Sequence, residues 1–187
     1  MSKKAIVLLA DGFEDVEAVT PIDYLRRAGV EVTTVSISES LNVTSRWGGI
    51  KLTADTRLSE IEKQTAAEWD AVIIPGGMPG AANLAACPKT GALIKEMAAA
   101  GKLVCAICAS PVIVLAPLGL LCGKRFTCYP GLEEKAPDGK WSEDRVVTDG
   151  NIITSRAAGT SGEFAIAIIA CLLGEEEALK IAQTVML

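Results

Sequence analysis

The stretch Leu103-Val104-Cys105-Ala106-Ile107-Cys108-Ala109-Ser110-Pro111-Val112-Ile113 changes character at its sixth residue. Before Cys108 the run is short and apolar, as expected of a strand buried on both faces. Beyond Pro111 the apolar side chains continue behind a proline of the kind that opens helices. The pattern predicts a strand-to-helix elbow with Cys108 in its turn and a helix starting at Ala109. The chain contains no histidine, so any chemistry at Cys108 proceeds without an imidazole base.

Outward from the elbow, residues 5–9 read as an apolar strand, 15–28 as a helix closed by Gly29, and 30–36 as a second strand, a β-α-β opening. Residues 43–46 and 50–53, separated by Trp47-Gly48-Gly49, predict a small β-hairpin off the main sheet. Residues 71–74 form another buried strand ending at Pro75-Gly76-Gly77. Helices follow over 80–86 and 89–100, then short strands at 125–128, 145–148 and 152–154, and two closing helices, the first with a capping box of Thr160 and Glu163. No repeat, linker or low-complexity segment interrupts this order. Alternating strands and helices make a doubly wound α/β sandwich, mostly parallel, with ligand sites at the carboxyl ends of the strands.

Composition narrows the function. With 187 residues, half of them hydrophobic, the chain fills one core and reads as a single domain over 1–187. A net charge of −5, with no Lys/Arg-rich run, argues against a nucleic-acid surface and leaves a small molecule or a protein as partner. The N-terminus is basic and then apolar, but Asp11-Gly12-Phe13-Glu14-Asp15 follows with no cleavage pattern, so it reads as a first strand rather than a signal peptide. The apolar stretch 103–123 carries Ser110, Pro111, Pro117 and Gly119, which fit an elbow and not a membrane span. Six cysteines without a secretory signal or regular spacing point to reduced thiols in the cytoplasm.

Cys105 and Cys108 form a C-x-x-C, but three extended residues separate their Cα atoms by about 10 Å, beyond the ~7 Å a disulfide spans. Cys105 is then a buried small hydrophobe. A zinc site from Cys105, Cys108, Cys122 and Cys128 fails because one ligand faces into the sheet and the spacing is irregular, so no metal is expected. Cys87 and Cys171 read as structural. Gly76 and Gly77 end a strand on the same edge as the elbow, where unhindered N–H groups could hold a carbonyl oxygen becoming an alkoxide; an ordinary turn is the alternative. Gly76-Gly77-x-x-Gly80 is no dinucleotide fingerprint, which belongs in the first β-α turn, so no nicotinamide or other cofactor is expected. Glu17 alone reads as a solvated helix residue beside Glu14 and Asp15. Pro21 removes the donor for the Glu17 carbonyl, which predicts a kink in the first turn, with Thr20 pushed off helical angles. Arg26, Arg27, Arg46 and Trp47 are either a solvated cluster or a dimer contact near the site.

The sequence resembles the ThiJ/PfpI superfamily, and within it the DJ-one branch. The resemblance runs nearly end to end and rests on Gly12-Phe13-Glu14-Asp15-Val16-Glu17, Arg26-Arg27-Ala28-Gly29-Val30, Ser45-Arg46, Pro75-Gly76-Gly77, Ala106-Ile107-Cys108-Ala109, and Thr154-Ser155-Arg156 leading to Gly159-Thr160-Ser161. It implies a flavodoxin-like homodimer with Cys108 as an oxidation-prone nucleophile and Glu17 as its partner carboxyl. Relatives are described as cofactor-independent glyoxalases of methylglyoxal and glyoxal, as protein deglycases of early glycation adducts, and as oxidative-stress sensors or chaperones. An older label ties some to thiazole phosphate biosynthesis, yet the chain has no dedicated phosphate loop. Two departures matter. PfpI-type members carry His after the cysteine where Ala109 stands, and the histidine of some DJ-one relatives is replaced by Tyr129. Without a base to return a proton to a leaving amine, a peptidase or amidotransferase is disfavoured and carbonyl addition is not.

Lowering a thiol from about 8.5 to about 6 requires roughly 3.4 kcal/mol of preference for the anion. A helix start supplies ~0.3 to 1 kcal/mol, ~2 at best, so a donor must point at sulfur. Glu17 serves only when protonated, which demands a half-buried carboxyl with a raised pKa. Two functions follow as expectations. In one, Cys108 adds to a dicarbonyl, Gly76, Gly77 and Ala109 steady the oxyanion, Glu17 shuttles the proton, and Tyr129, Arg156 and Ala158 line the rim. In the other, peroxide converts Cys108 to a sulfinate that alters affinity for a protein partner.

Overall fold

A computed structural model describes residues 2–47, 49–61 and 68–187; Gly48 of the hairpin loop lies outside the described residues. The central sheet contains β1 (Lys4–Leu9), β2 (Glu31–Ser36), β5 (Thr56–Arg57), β6 (Ala71–Ile74), β7 (Leu103–Ile107), β10 (Val146–Asp149) and β11 (Ile152–Ser155). Its spatial order is β10-β11-β7-β6-β1-β2-β5, and every pairing is parallel except β10 with β11. The hairpin forms apart from it, β3 (Asn42–Thr44) antiparallel to β4 (Lys51–Thr53).

The period-two pleat sorts side chains to two cores. Ala5, Val7, Leu9, Ile73, Cys105 and Ile107 face α1 (Asp15–Arg27) and α5 (Ser161–Leu173), meeting Ala18, Leu25, Phe164 and Ile168. Ile6, Leu8, Val72, Ile74, Val104 and Ala106 face α3 (Gly80–Ala86) and α4 (Pro88–Ala99), meeting Leu84, Ile94 and Met97. Helix α6 (Glu175–Thr184) closes over α5. The chain is a flavodoxin-like α/β sandwich, with helices on both faces of a mostly parallel sheet. No helix among the described residues is long and apolar enough to cross a membrane.

Several local expectations change. The segment after the elbow is a π turn over Pro111–Leu115 followed by a 3-10 turn over Ala116–Leu118, not a regular helix from Ala109. Ser110 and Ala116, which precede the two prolines, keep right-handed helical angles. Pro117 has no N–H for the Ile113 carbonyl, and the Ala116 N–H reaches back five residues to the Pro111 carbonyl, so the turn is wide before Pro117 and tightens after it. Helix α1 runs unbroken through Pro21 with Thr20 inside it, so Thr20 is not pushed off helical angles as expected: packing of the helix on the sheet holds it against the proline. The Thr160–Glu163 capping box does not form. The Thr160 hydroxyl instead lies 2.6 Å from Ser155 Oγ and accepts the Ala157 N–H at 3.1 Å, while Glu163 accepts from Arg145. Three short elements escape the sequence pattern: β5, α2 (Leu58–Ile61), and β9 (Lys140–Trp141), which pairs with β8 (Arg125–Phe126) in a separate two-stranded sheet. Each is too short for a period to register.

Candidate active site

Strands β1, β6 and β7 are neighbours, and the loops leaving their carboxyl ends bring Glu17, Gly76-Gly77 and Cys108 together. Cys108 adopts φ 65, a left-handed conformation uncommon for a residue with a Cβ. Its N–H donates to the Ser155 carbonyl at 3.0 Å and its carbonyl accepts from the Tyr129 N–H at 2.8 Å. Ser110, fully buried beside it, donates its hydroxyl to the Pro75 carbonyl at 2.6 Å and ties the elbow to the end of β6. Strain of this kind persists only when neighbours over-determine it, and it marks functional turns.

Glu17 is not the solvated residue its neighbours imply: it is 1% exposed. Glu14 caps α1 by accepting the Glu17 N–H at 2.8 Å, and Glu17 Oε2 accepts the Gly76 N–H at 3.0 Å. The Glu17 carboxyl and the Cys108 side chain meet over Gly76, where a Cβ would stand 2.5 Å from Glu17 Oε2 and 2.6 Å from Cys108 Cβ. Each shifts the proton affinity of the other, with the Ala158 N–H acting on the carboxyl and the N–H groups of Gly77 and Ala109 on the sulfur. These contacts correct the expectation for Gly76. Its N–H is committed to Glu17, so Gly77 and Ala109 are the donors facing the reacting atom.

Burial pushes Glu17 up to about 7, and the Glu14 charge adds to the rise, while the Cys108 thiol and the N–H groups of Gly76 and Ala158 restrain it. Burial and then the charge and hydrogen bond of Glu17 push the Cys108 thiol up to about 12, against the pull of Gly77 and Ala109. The carboxyl is raised, as a donor to sulfur requires. The thiol is not lowered toward 6: two adjacent acids in a dry site resist ionising together, and the elbow offers single N–H groups where a long helix would offer a dipole. Between about pH 7 and 12 the pair therefore holds one proton and one negative charge.

A cavity of about 480 Å³ opens over this pair, lined among others by Glu14, Arg46, Trp47, Met78, Tyr129 and Leu132. Arg46 stacks over the Trp47 ring at 4.4 Å, and its N–H donates to the Phe13 carbonyl at 2.8 Å, which docks the hairpin arm on the loop after β1. Tyr129 and Ala158 line the cavity, and Arg156 does not; its guanidinium turns away to the Glu143 carbonyl at 3.0 Å. Arg26 and Arg27 do not surround the site either, because Asp55 and Asp23 hold them at 3.3 and 2.8 Å. Sequence reasoning missed Glu14, Met78, Leu132 and Ser110 as site residues. Only Glu14 carried a signal, an acceptor three residues before Glu17 at a helix start. All six cysteines are free, and among the described residues no group of three His, Cys, Asp or Glu side chains is placed to hold a metal.

The model of the DJ-1/PfpI family matches residues 3–171. The chain belongs to the DJ-1/PfpI family. Among relatives, Protein DJ-1 homolog B of Arabidopsis thaliana is 41% identical over 97% of this chain, which spans 40% of that relative's length. Glutathione-independent glyoxalase DJR-1.2 of Caenorhabditis elegans is 35% identical over 94% of this chain and 91% of its own. The oxidized DJ-1 of Toxoplasma gondii superposes with a TM-score of 0.94 at 38% identity, covering 99% of this chain and 98% of that one. The DJ-1/PfpI fold thus extends over both cores and over the elbow that carries Cys108.

Close packing at Gly76 makes a first prediction. A Cβ there would sit 2.5 Å from Glu17 Oε2 and 2.6 Å from Cys108 Cβ. Gly76→Ala should cost about 1–3 kcal/mol through overpacking, read as a lower urea midpoint with an unchanged slope.

Proposed function

We propose that the protein is a cysteine-dependent, cofactor-independent enzyme of the glyoxalase type, acting on small dicarbonyls such as methylglyoxal and glyoxal or on their early adducts with protein side chains. The observation that carries this reading is the buried Glu17 carboxyl set against Cys108 over Gly76, on the floor of an open cavity that both line. Similarity to a relative named as a glutathione-independent glyoxalase supports it.

The steps balance without a co-reactant other than water. The Cys108 thiolate attacks the aldehyde carbon; a C–S bond forms, the carbonyl π bond breaks, and the new alkoxide takes a proton from Glu17 to give a hemithioacetal. Ionised Glu17 then removes the hydrogen from that carbon and delivers it to the neighbouring carbon, while the hemithioacetal hydroxyl gives up its proton to the second carbonyl oxygen. The first oxygen becomes the thioester carbonyl and the second a hydroxyl, leaving a 2-hydroxyacyl thioester. Water cleaves the thioester, releasing the hydroxy acid and the thiol. The N–H groups of Gly77 and Ala109 lie where charge develops beside sulfur. Purified protein given methylglyoxal without glutathione should yield lactate; turnover no greater than that of buffer rejects the reading.

A second reading is favoured by the donors around the sulfur and by likeness to a DJ-1 structure described as oxidized. Two equivalents of hydrogen peroxide would convert the Cys108 thiolate to a sulfinate and release two waters, with Gly77, Ala109 and protonated Glu17 holding its oxygens. Intact-mass analysis after mild peroxide should show a two-oxygen adduct confined to Cys108, and oxidation spread over the other five cysteines would exclude it.

We also propose a homodimer in the cytoplasm. Val16, Val19, Trp47 and Ile50 are large hydrophobic residues left 43–62% exposed along α1 and the hairpin arm beside the cavity. Light scattering should give twice the chain mass, and Val19→Glu should halve it.

A further inference from the structure

Glu14 is anchored twice and still faces the cavity. Its backbone N–H donates to the Gly76 carbonyl at 3.1 Å, and its carboxylate caps α1 on the Glu17 N–H at 2.8 Å. The side chain lines the same cavity as Cys108. The floor therefore carries the single negative charge of the Cys108–Glu17 pair and the charge of Glu14 beside it. The one cation that lines the cavity among the described residues, Arg46, is exposed at the mouth and stacked on Trp47. An electrophile reaching the sulfur leaves that cation behind and meets an excess of negative charge in a half-enclosed space, where screening is weak.

We propose that Glu14 is a specificity-determining residue that admits uncharged aldehydes to Cys108 and turns away carbonyl compounds bearing a carboxylate, the 2-oxo acids. The substrate half of this proposal rests on the glyoxalase reading above; the charge filter does not. It is tested with two alkylating agents of the same mechanism, neutral iodoacetamide and anionic iodoacetate. In both, the thiolate forms a C–S bond as iodide leaves.

The modification rate of Cys108, followed by peptide mass spectrometry so that the other cysteines do not contribute, is measured at low salt in wild type and in Glu14→Gln. Any change in the proton affinity of the pair, or any loosening of the helix cap, scales both rates and cancels in their ratio. The ratio of iodoacetate to iodoacetamide rates should rise about tenfold in Glu14→Gln, the effect of one charge at close range in a half-buried site. Arg46→Gln should move it the other way. A ratio within twofold of wild type in Glu14→Gln, with an unchanged circular dichroism spectrum, overturns the proposal. Glyoxylate, which can add to the thiolate but has no second carbonyl to isomerise, provides the second arm as a competitor of glyoxal: the variant should be inhibited at a lower glyoxylate concentration than wild type. Absence of glyoxal turnover would reject the glyoxalase reading while the alkylation ratio still decides the role of Glu14.

Discussion

Cys108→Ser should lose turnover of methylglyoxal by on the order of 10³-fold or more while the fold remains intact. Serine fits the space and accepts the same N–H groups of Gly77 and Ala109. Its hydroxyl, however, has no base strong enough to ionise it: Glu17, at about 7, is the carboxyl set against that position, and the chain has no histidine. A thiol next to the same carboxyl needs only a proton exchange within the pair to expose an anion, which an alcohol cannot match. The strained backbone at φ 65 is inherited unchanged by the variant, so its unfolding free energy from urea titration should stay within about 0.5 kcal/mol of wild type. A serine variant retaining a tenth of the wild-type kcat/KM would show that Cys108 is not the nucleophile.

Much of this geometry was legible because it follows from periodicity and from punctuation by glycine and proline. Strand β7 stands at the residues that the apolar run 103–107 marks, and the hairpin stands apart from the sheet as the break at Trp47-Gly48-Gly49 implies. Cys108 in the turn after β7 follows from the same break in pattern. What stayed hidden depends on contacts between segments distant in sequence. Nothing local distinguishes a solvated Glu17 from one whose carboxyl accepts a bond from Gly76, 59 residues away. Nor does sequence show that Gly76 donates to Glu17 and only Gly77 and Ala109 to sulfur, since the three N–H groups are chemically alike. Arg156 sits in the recognisable Thr154-Ser155-Arg156 segment, yet its direction is fixed by the Glu143 carbonyl on the loop before β10. A lowered thiol follows from a donor, a helix start and a protonated Glu17, since an ionised one repels the thiolate; burial of the sulfur, which depends on distant segments, comes on top of the charge of Glu17 and turns the balance upward.

Glu17→Gln separates the two duties of the carboxyl and should make the protein more stable while abolishing its turnover. The carboxyl ionises at about 7 in the folded chain against a reference of 4.5, so the folded state holds its proton more tightly than the unfolded state across that interval. Stability contributed by this group is therefore present below about pH 4.5 and is lost as pH rises to about 7, a loss of about 3 kcal/mol. Glutamine has no charge to desolvate, can accept the Gly76 N–H through its carbonyl, and can donate its amide to sulfur. Its stability should stay flat over the same pH range, equal to wild type near pH 4 and exceeding it by up to about 3 kcal/mol at pH 8 in urea titrations. With the neighbouring charge gone, the Cys108 thiol should ionise below the value of about 12 that burial and Glu17 impose, so alkylation at pH 8 should accelerate. Turnover should nonetheless fall by about 10² to 10⁴, because an amide cannot carry hydrogen from one carbon to the next. A thiol that reacts faster in a better-folded protein that no longer turns over its substrate would isolate proton transfer as the work of Glu17. Retained turnover, or a stability curve that bends with pH as wild type does, would show that this carboxyl neither shuttles the proton nor titrates near neutrality.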